Sequence, residues 1–168
     1  TMVDMMEEEV FEDMSDANTE VGTIPVGMII TGDISTSGGL DLKGTVLGNI
    51  EIGGKLNVSG RIQGNSKALE IYAQAAKITG DVNCDNSAKI GPNSVVIGNI
   101  SARSAVIAGA VKGDIDVRGP VILDSSAIIM GNIKSKSVQI NNGAVIEGMC
   151  SQCYADVSPT SFFDDYKG

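Results

Sequence analysis

Gly followed by Asp or Asn recurs along this chain at a nearly constant interval, and no other feature constrains its fold as tightly. The pairs stand at residues 32–33, 48–49, 64–65, 80–81, 98–99, 113–114 and 131–132, with a degenerate eighth copy at Gly148-Met149. Successive glycines lie 16, 16, 16, 18, 15, 18 and 17 residues apart. Two residues before them come Ile30, Val46, Ile62, Ile78, Val96, Val111, Ile129 and Ile146, all β-branched. Two residues after come Ile34, Ile50, Ser66, Val82, Ile100, Ile115, Ile133 and Cys150, six of the eight aliphatic. Such self-similarity is the sequence signature of a repeat architecture.

A third aliphatic series, Leu42, Val58, Ile71, Ile90, Ile107, Leu123 and Ile140, precedes each glycine by six to nine residues. Around it, apolar and polar residues alternate, as in "LDLKG" and "LNVSG", which is the period of a strand with one buried face. Each unit thus holds three short strands in about 16–18 residues, with turns at Gly, Asn and Asp. A unit this small cannot bury its own apolar side, but stacked on a copy of itself it can. The expected fold is all-β: a single-domain parallel β-helix of triangular section with about seven to eight three-strand rungs. At ~4.8 Å per strand this is a rod roughly 35 Å long. "GPNS" (91–94) and "DSSA" (124–127) then enlarge one corner while the flanking series stay in phase. An antiparallel sandwich of hairpins would not hold one residue type at one offset through eight copies.

Charge divides the chain into three. Residues 1–27 carry eight acids and no base, residues 28–153 ten acids and eleven bases, and residues 154–168 three acids and one lysine. The reading is therefore an acidic N-terminal tail (1–27), a nearly neutral β-helix core (28–153) and a C-terminal tail or cap (154–168). A neutral core lacks the clustered Lys and Arg that nucleic acid requires. No segment approaches the ~18–20 apolar residues of a membrane span, no basic apolar leader opens the sequence, and three cysteines favour a reducing compartment. A cytoplasmic protein is expected.

Catalytic chemistry finds few candidates. There is no histidine to act as base or zinc ligand. Asp33, Asp81 and Asp114 each occupy a turn, where a solvated corner that bonds locally to backbone explains them. "CSQC" (150–153) is a lone Cys-x-x-Cys, and Cys150 falls in the inward series, so a small buried hydrophobe is its expected role. No phosphate-binding glycine loop occurs. Neither enzyme activity nor any metal, nucleotide or other cofactor is expected.

The ends of a β-helix expose unpaired backbone groups around an open apolar core, and such edges template further pairing unless covered. "TIPVGMIITGD" (23–33) reads as an incomplete first rung, with Pro25 marking where regular pairing starts. Ahead of it Met2, Met6, Val10 and Met14 recur every four residues, as on one side of a helix. Two readings stay open: a disordered acidic tail, or a short amphipathic helix that contacts a protein partner. Phe162 and Phe163 near the other end either fold over the last apolar triangle or form a docking anchor.

Over roughly residues 28–150 the chain resembles the bactofilins, bacterial polymer-forming cytoskeletal proteins. "GNIEIGGKLNVSGRIQGN" and "VIAGAVKGDIDVRG", flanked by short non-repetitive tails, carry the resemblance. It implies a right-handed β-helix whose subunits join end to end into filaments, without nucleotide and with like ends paired. It also implies a scaffold for cell-shape or wall-modifying machinery, reached in many members through the N-terminal tail. Here that tail is acidic and has no compact hydrophobic-plus-Lys segment, so an envelope or membrane-associated protein at the inner face of the cell membrane is its expected partner. The end-rung residues Met28, Ile30, Ile34, Ile146, Cys150, Phe162 and Phe163 are the expected polymer interface. The alternative is a monomeric binding or adhesion solenoid using one face. It would call for an outward ladder of Thr, Asn or aromatic residues, whereas outward positions read as a mixture of Lys, Asp, Glu, Ser and Gln.

Overall fold

A computed structural model describes residues 20–157 and 159–163. They form a β-solenoid in which every strand pairing is parallel and joins one rung to the next. One face, here the first, is an eight-stranded sheet running from Ile29–Thr31 to Val145–Glu147 in chain order. Its strands are three residues long, and only the middle residue points inward: Val46, Ile62, Ile78, Val96, Val111 and Ile129 are fully buried. The second face starts at Ile34–Thr36 and ends at Cys150–Ser151; the third starts at Val21–Ile24 and ends at Ser137–Ile140. Two long strands, Ser66–Ala73 and Val82–Ile90, run round the corner between these faces and merge them into one 14-stranded sheet.

Alternation on those faces sends two residues per strand inward, such as Ile50 and Ile52 or Leu56 and Val58. The core is consequently a set of vertical columns of Ile, Val, Leu and Ala along the rod axis. Burying each Ile, Val or Leu contributes about 1.5–3 kcal/mol, and no aromatic ring is needed to fill a lumen this narrow. The third series is corrected at one position. Ala73, not Ile71, pairs with Val58 and Ile90, while Ile71 stands in the adjacent column between Leu56 and Ala88. Choosing the bulkier residue misplaced it, because Ile71-Ala73 and Ala88-Ile90 exchange large and small side chains between columns so that successive rungs interlock.

The corner insertions behave as expected. Residues 91–94 and 124–127 are turns between the third and first faces, and Ile90–Ile107 and Val96–Val111 still pair in register across them. The rod starts earlier than Met28, however. Val21–Ile24 pairs with Gly39–Leu42 ahead of Pro25, adding a strand that Gly22, with no side chain, does not announce by hydropathy.

The Gly-Asx corner explains why the repeat is so strict. Gly48 and Gly98 have φ of 158° and 152°, and a Cβ on either would collide with the carbonyl of the glycine one rung before. The glycines stack too closely for any side chain. The following Asx does not bond within its own turn, as the sequence suggested, but across rungs. Asn49 N–H donates to Asp33 Oδ1 at 2.9 Å, Asn65 to Asn49, Asp81 to Asn65, Asn99 to Asp81, Asp114 to Asn99 and Asn132 to Asp114. The ladder closes with Met149 N–H on Asn132 Oδ1 at 3.1 Å.

The outward surface departs from the expected polar mixture on one face. The second face does carry Ser35, Glu51, Lys67, Asn83, Ser101, Asp116 and Lys134 between its inward residues. On the first face Ile29, Leu47, Val95, Ile97, Ile128, Met130 and Val145 stand exposed. Runs such as "VVI" and "IIM" are apolar at all three positions, so a three-residue strand has no alternation to reveal which side is out.

Candidate self-association surfaces at the ends of the rod

Each face finishes at both ends of the described rod with a strand that has a neighbour on one side only, giving three open edges per end. At the N-terminal end Ile24 is buried, but Ile30 and Ile34, inward in their strands, are half-exposed for want of a rung beneath them. Met28 lies in the corner that follows Pro25 and is 46% exposed. At the C-terminal end Val138, Ala144 and Ile146 are half-buried, and Ile140 is 48% exposed. The C-terminal triangle also includes Cys150, which is exposed rather than buried. It does stand in the inward column, but among the described residues no rung lies above it, and partial burial still raises its thiol pKa. Contrast Cys84, deep in the second face, whose thiol is pushed up to about 12 by burial, with Asp85 and Glu70 adding to the rise.

Beyond Ser151 the chain does not cross this triangle through residue 156. Tyr154 N–H donates to Ser135 O at 3.2 Å, and its phenol donates to Asp116 Oδ1 at 2.7 Å, two rungs back. That bond raises the phenol pKa. Gln152 donates to Lys136 O, and Asp156 pairs with Lys136 at 3.4 Å. These contacts lay residues 152–156 along the flank and leave Ile140, Ile146 and Cys150 open. Farther on, Phe162 ends a short 3₁₀ helix, Pro159–Phe162, and Phe163 is 68% exposed. Met2, Met6, Val10 and Met14 lie outside the described residues.

The structure therefore groups Ile30 with Ile34 at one end and Ile146 with Cys150 at the other. It adds Val138, Ile140 and Ala144 to the second group. Ile140 is visible in the sequence as the last member of the third series, but nothing there tells whether a further rung covers it. Among the described residues no group of three or more His, Cys, Asp or Glu could hold a metal ion, and no helix is long and apolar enough to cross a membrane.

Neither curated proteins nor solved structures gave a match. A family model, described as Bactofilin, polymer-forming cytoskeletal, matches residues 52–151, which covers six rungs between the Asn49 corner and the last strand of the second face. With its parallel solenoid and its repeat, this chain belongs to the bactofilin family of polymer-forming cytoskeletal proteins.

Proposed function

We propose that the chain polymerises end to end, without nucleotide, into cytoplasmic filaments that scaffold envelope or cell-shape machinery. The observation that carries this reading is the pair of uncovered ends, where open strand edges surround half-exposed apolar rows. A second copy laid on either end supplies the missing rung, pairs the edges and buries the columns.

The Asx ladder bears on which ends meet. Each Asp or Asn oxygen serves the N–H of the next rung, but Met149 offers no side-chain acceptor to a rung beyond it. A head-to-tail joint would place Asp33 N–H above Met149 and interrupt the ladder at every subunit. Pairing like ends through a two-fold axis asks nothing of the ladder, and a two-fold interface is self-complementary. The C-terminal joint would then bring together Ile140, Ile146, Met149 and Cys150 of two copies, and the N-terminal joint Ile30 and Ile34.

Negative-stain microscopy of the purified chain tests the reading. Filaments are expected in the absence of nucleotide, and Ile34→Lys or Ile146→Lys, each placing a charge in an apolar joint, is expected to abolish them while leaving the β circular-dichroism signal. A chain that stays monomeric at high concentration overturns it.

A further inference from the structure

End-to-end assembly leaves the outer sides of the rod's faces free, among them that of the first face. Besides its exposed aliphatic residues it presents Arg61, Lys77 and Lys112, and among the described residues its strands carry one acid, Glu147 in the last row. Asp33, Asp81 and Asp114 sit round the Gly-Asx corner, each with an oxygen engaged in the ladder, and Asp124, in the opposite corner, accepts from the Asn141 amide. Arg61, Gln63, Lys77, Thr79, Val95 and Ile97 line a shallow depression of about 320 Å³ on this face. Two cations beside two aliphatic side chains suit a segment that carries carboxylates interleaved with apolar residues.

The chain contains such a segment. Residues 1–19 hold seven acids and no base, with Met2, Met5, Met6, Val10, Phe11 and Met14 among them. The segment joins the rod at Glu20, whose carbonyl accepts Gly39 N–H at the start of the third face. At ~3.3 Å per extended residue it reaches on the order of 60 Å. That is enough to pass round the flank and still cover Arg61 to Lys112, three row intervals or about 15 Å apart. The tether also gives it an effective concentration in the ~mM range that a free acidic partner would have to exceed. A sheet face with exposed apolar residues is stabilised by a second layer over it.

We propose that residues 1–19 dock on the outer side of the first face of their own rod. Their carboxylates lie on Arg61, Lys77 and Lys112, and their apolar side chains on Leu47, Val95 and Ile97. Zero-length carbodiimide cross-linking of the full chain, prepared as an equal mixture of isotope-labelled and unlabelled protein, tests this. Links within one chain, several-fold more abundant at Lys77 and Lys112 than at Lys67, Lys89 and Lys134 on the other faces, are expected. Arg61→Glu, an exposed change that leaves the circular dichroism intact, should reduce the links at Lys77 and Lys112 at least threefold. Links spread evenly over all faces, links only between chains, or Arg61-dependent co-sedimentation of the full chain with phosphatidylglycerol vesicles would overturn the proposal.

Discussion

Interior and terminal rungs of this rod are written in the same residues but live in different surroundings. Ile78 and Ile146 occupy the same column, two residues before a Gly corner, yet Ile78 is 1% exposed while Ile146 is only half-buried. Gly98 has the carbonyl of Gly80 against the place a Cβ would take, whereas Gly32 has nothing within 4 Å of it. Cys84 and Cys150 repeat the contrast with thiols, one buried and one exposed. The difference teaches that a rung's stability comes from having a neighbour on both sides, so the two ends are incomplete for the reason the middle is stable.

The sharpest way to break the comparison is at the glycines. Gly98→Ala combines a forbidden φ with a backbone collision and is expected to cost ~4 kcal/mol or more in thermal or denaturant unfolding. Gly32→Ala meets only the conformational strain of φ 130°, ~1–3 kcal/mol. Equal losses would mean that the stacked carbonyls do not set the glycine requirement. The columns come next. Ile78→Ala should cost about 2–5 kcal/mol, and Ile146→Ala in the unassembled chain about 1 kcal/mol, since it is only partly buried and packs against a rung on one side alone.

Those paired substitutions show how far the sequence could be read. The Gly-Asx spacing and its flanking aliphatics revealed the rungs, their inward columns and the elastic corner, because each obeys a steric or hydropathic rule that repeats. Four things stayed hidden. Ala73 hides in its column because its small volume is balanced by Ile71 beside it. The Val21–Ile24 strand hides behind Gly22. The apolar outer side of the first face hides in strands too short to alternate. The ends hide because the exposure of Ile140 and Cys150 is set by the path of the chain in space: Tyr154 turns it back to Asp116 instead of across the triangle.

Smaller effects refine the contrast. Ser66 Oγ is buried in the column between Ile50 and Val82 with no hydrogen-bond partner, so Ser66→Ala should raise stability by about 1 kcal/mol; outward Ser35→Ala should change it by less than about 0.5 kcal/mol. Thiol labelling under native conditions at mildly alkaline pH should modify Cys150 and Cys153 and spare Cys84. The Cys84 thiol, with its pKa pushed up to about 12, is both buried and protonated there. Assembly should then slow the labelling of Cys150 and leave that of Cys153, on the flank, less affected.

The claim that the two ends are the joints is tested most directly by sedimentation velocity of Ile146→Lys beside the unaltered chain. The unaltered chain should form large polymers. The variant, with its C-terminal triangle blocked and its N-terminal rows intact, should stop at dimers with an unchanged circular-dichroism spectrum. Polymers of undiminished size from the variant, or a purely monomeric unaltered chain, would contradict the account.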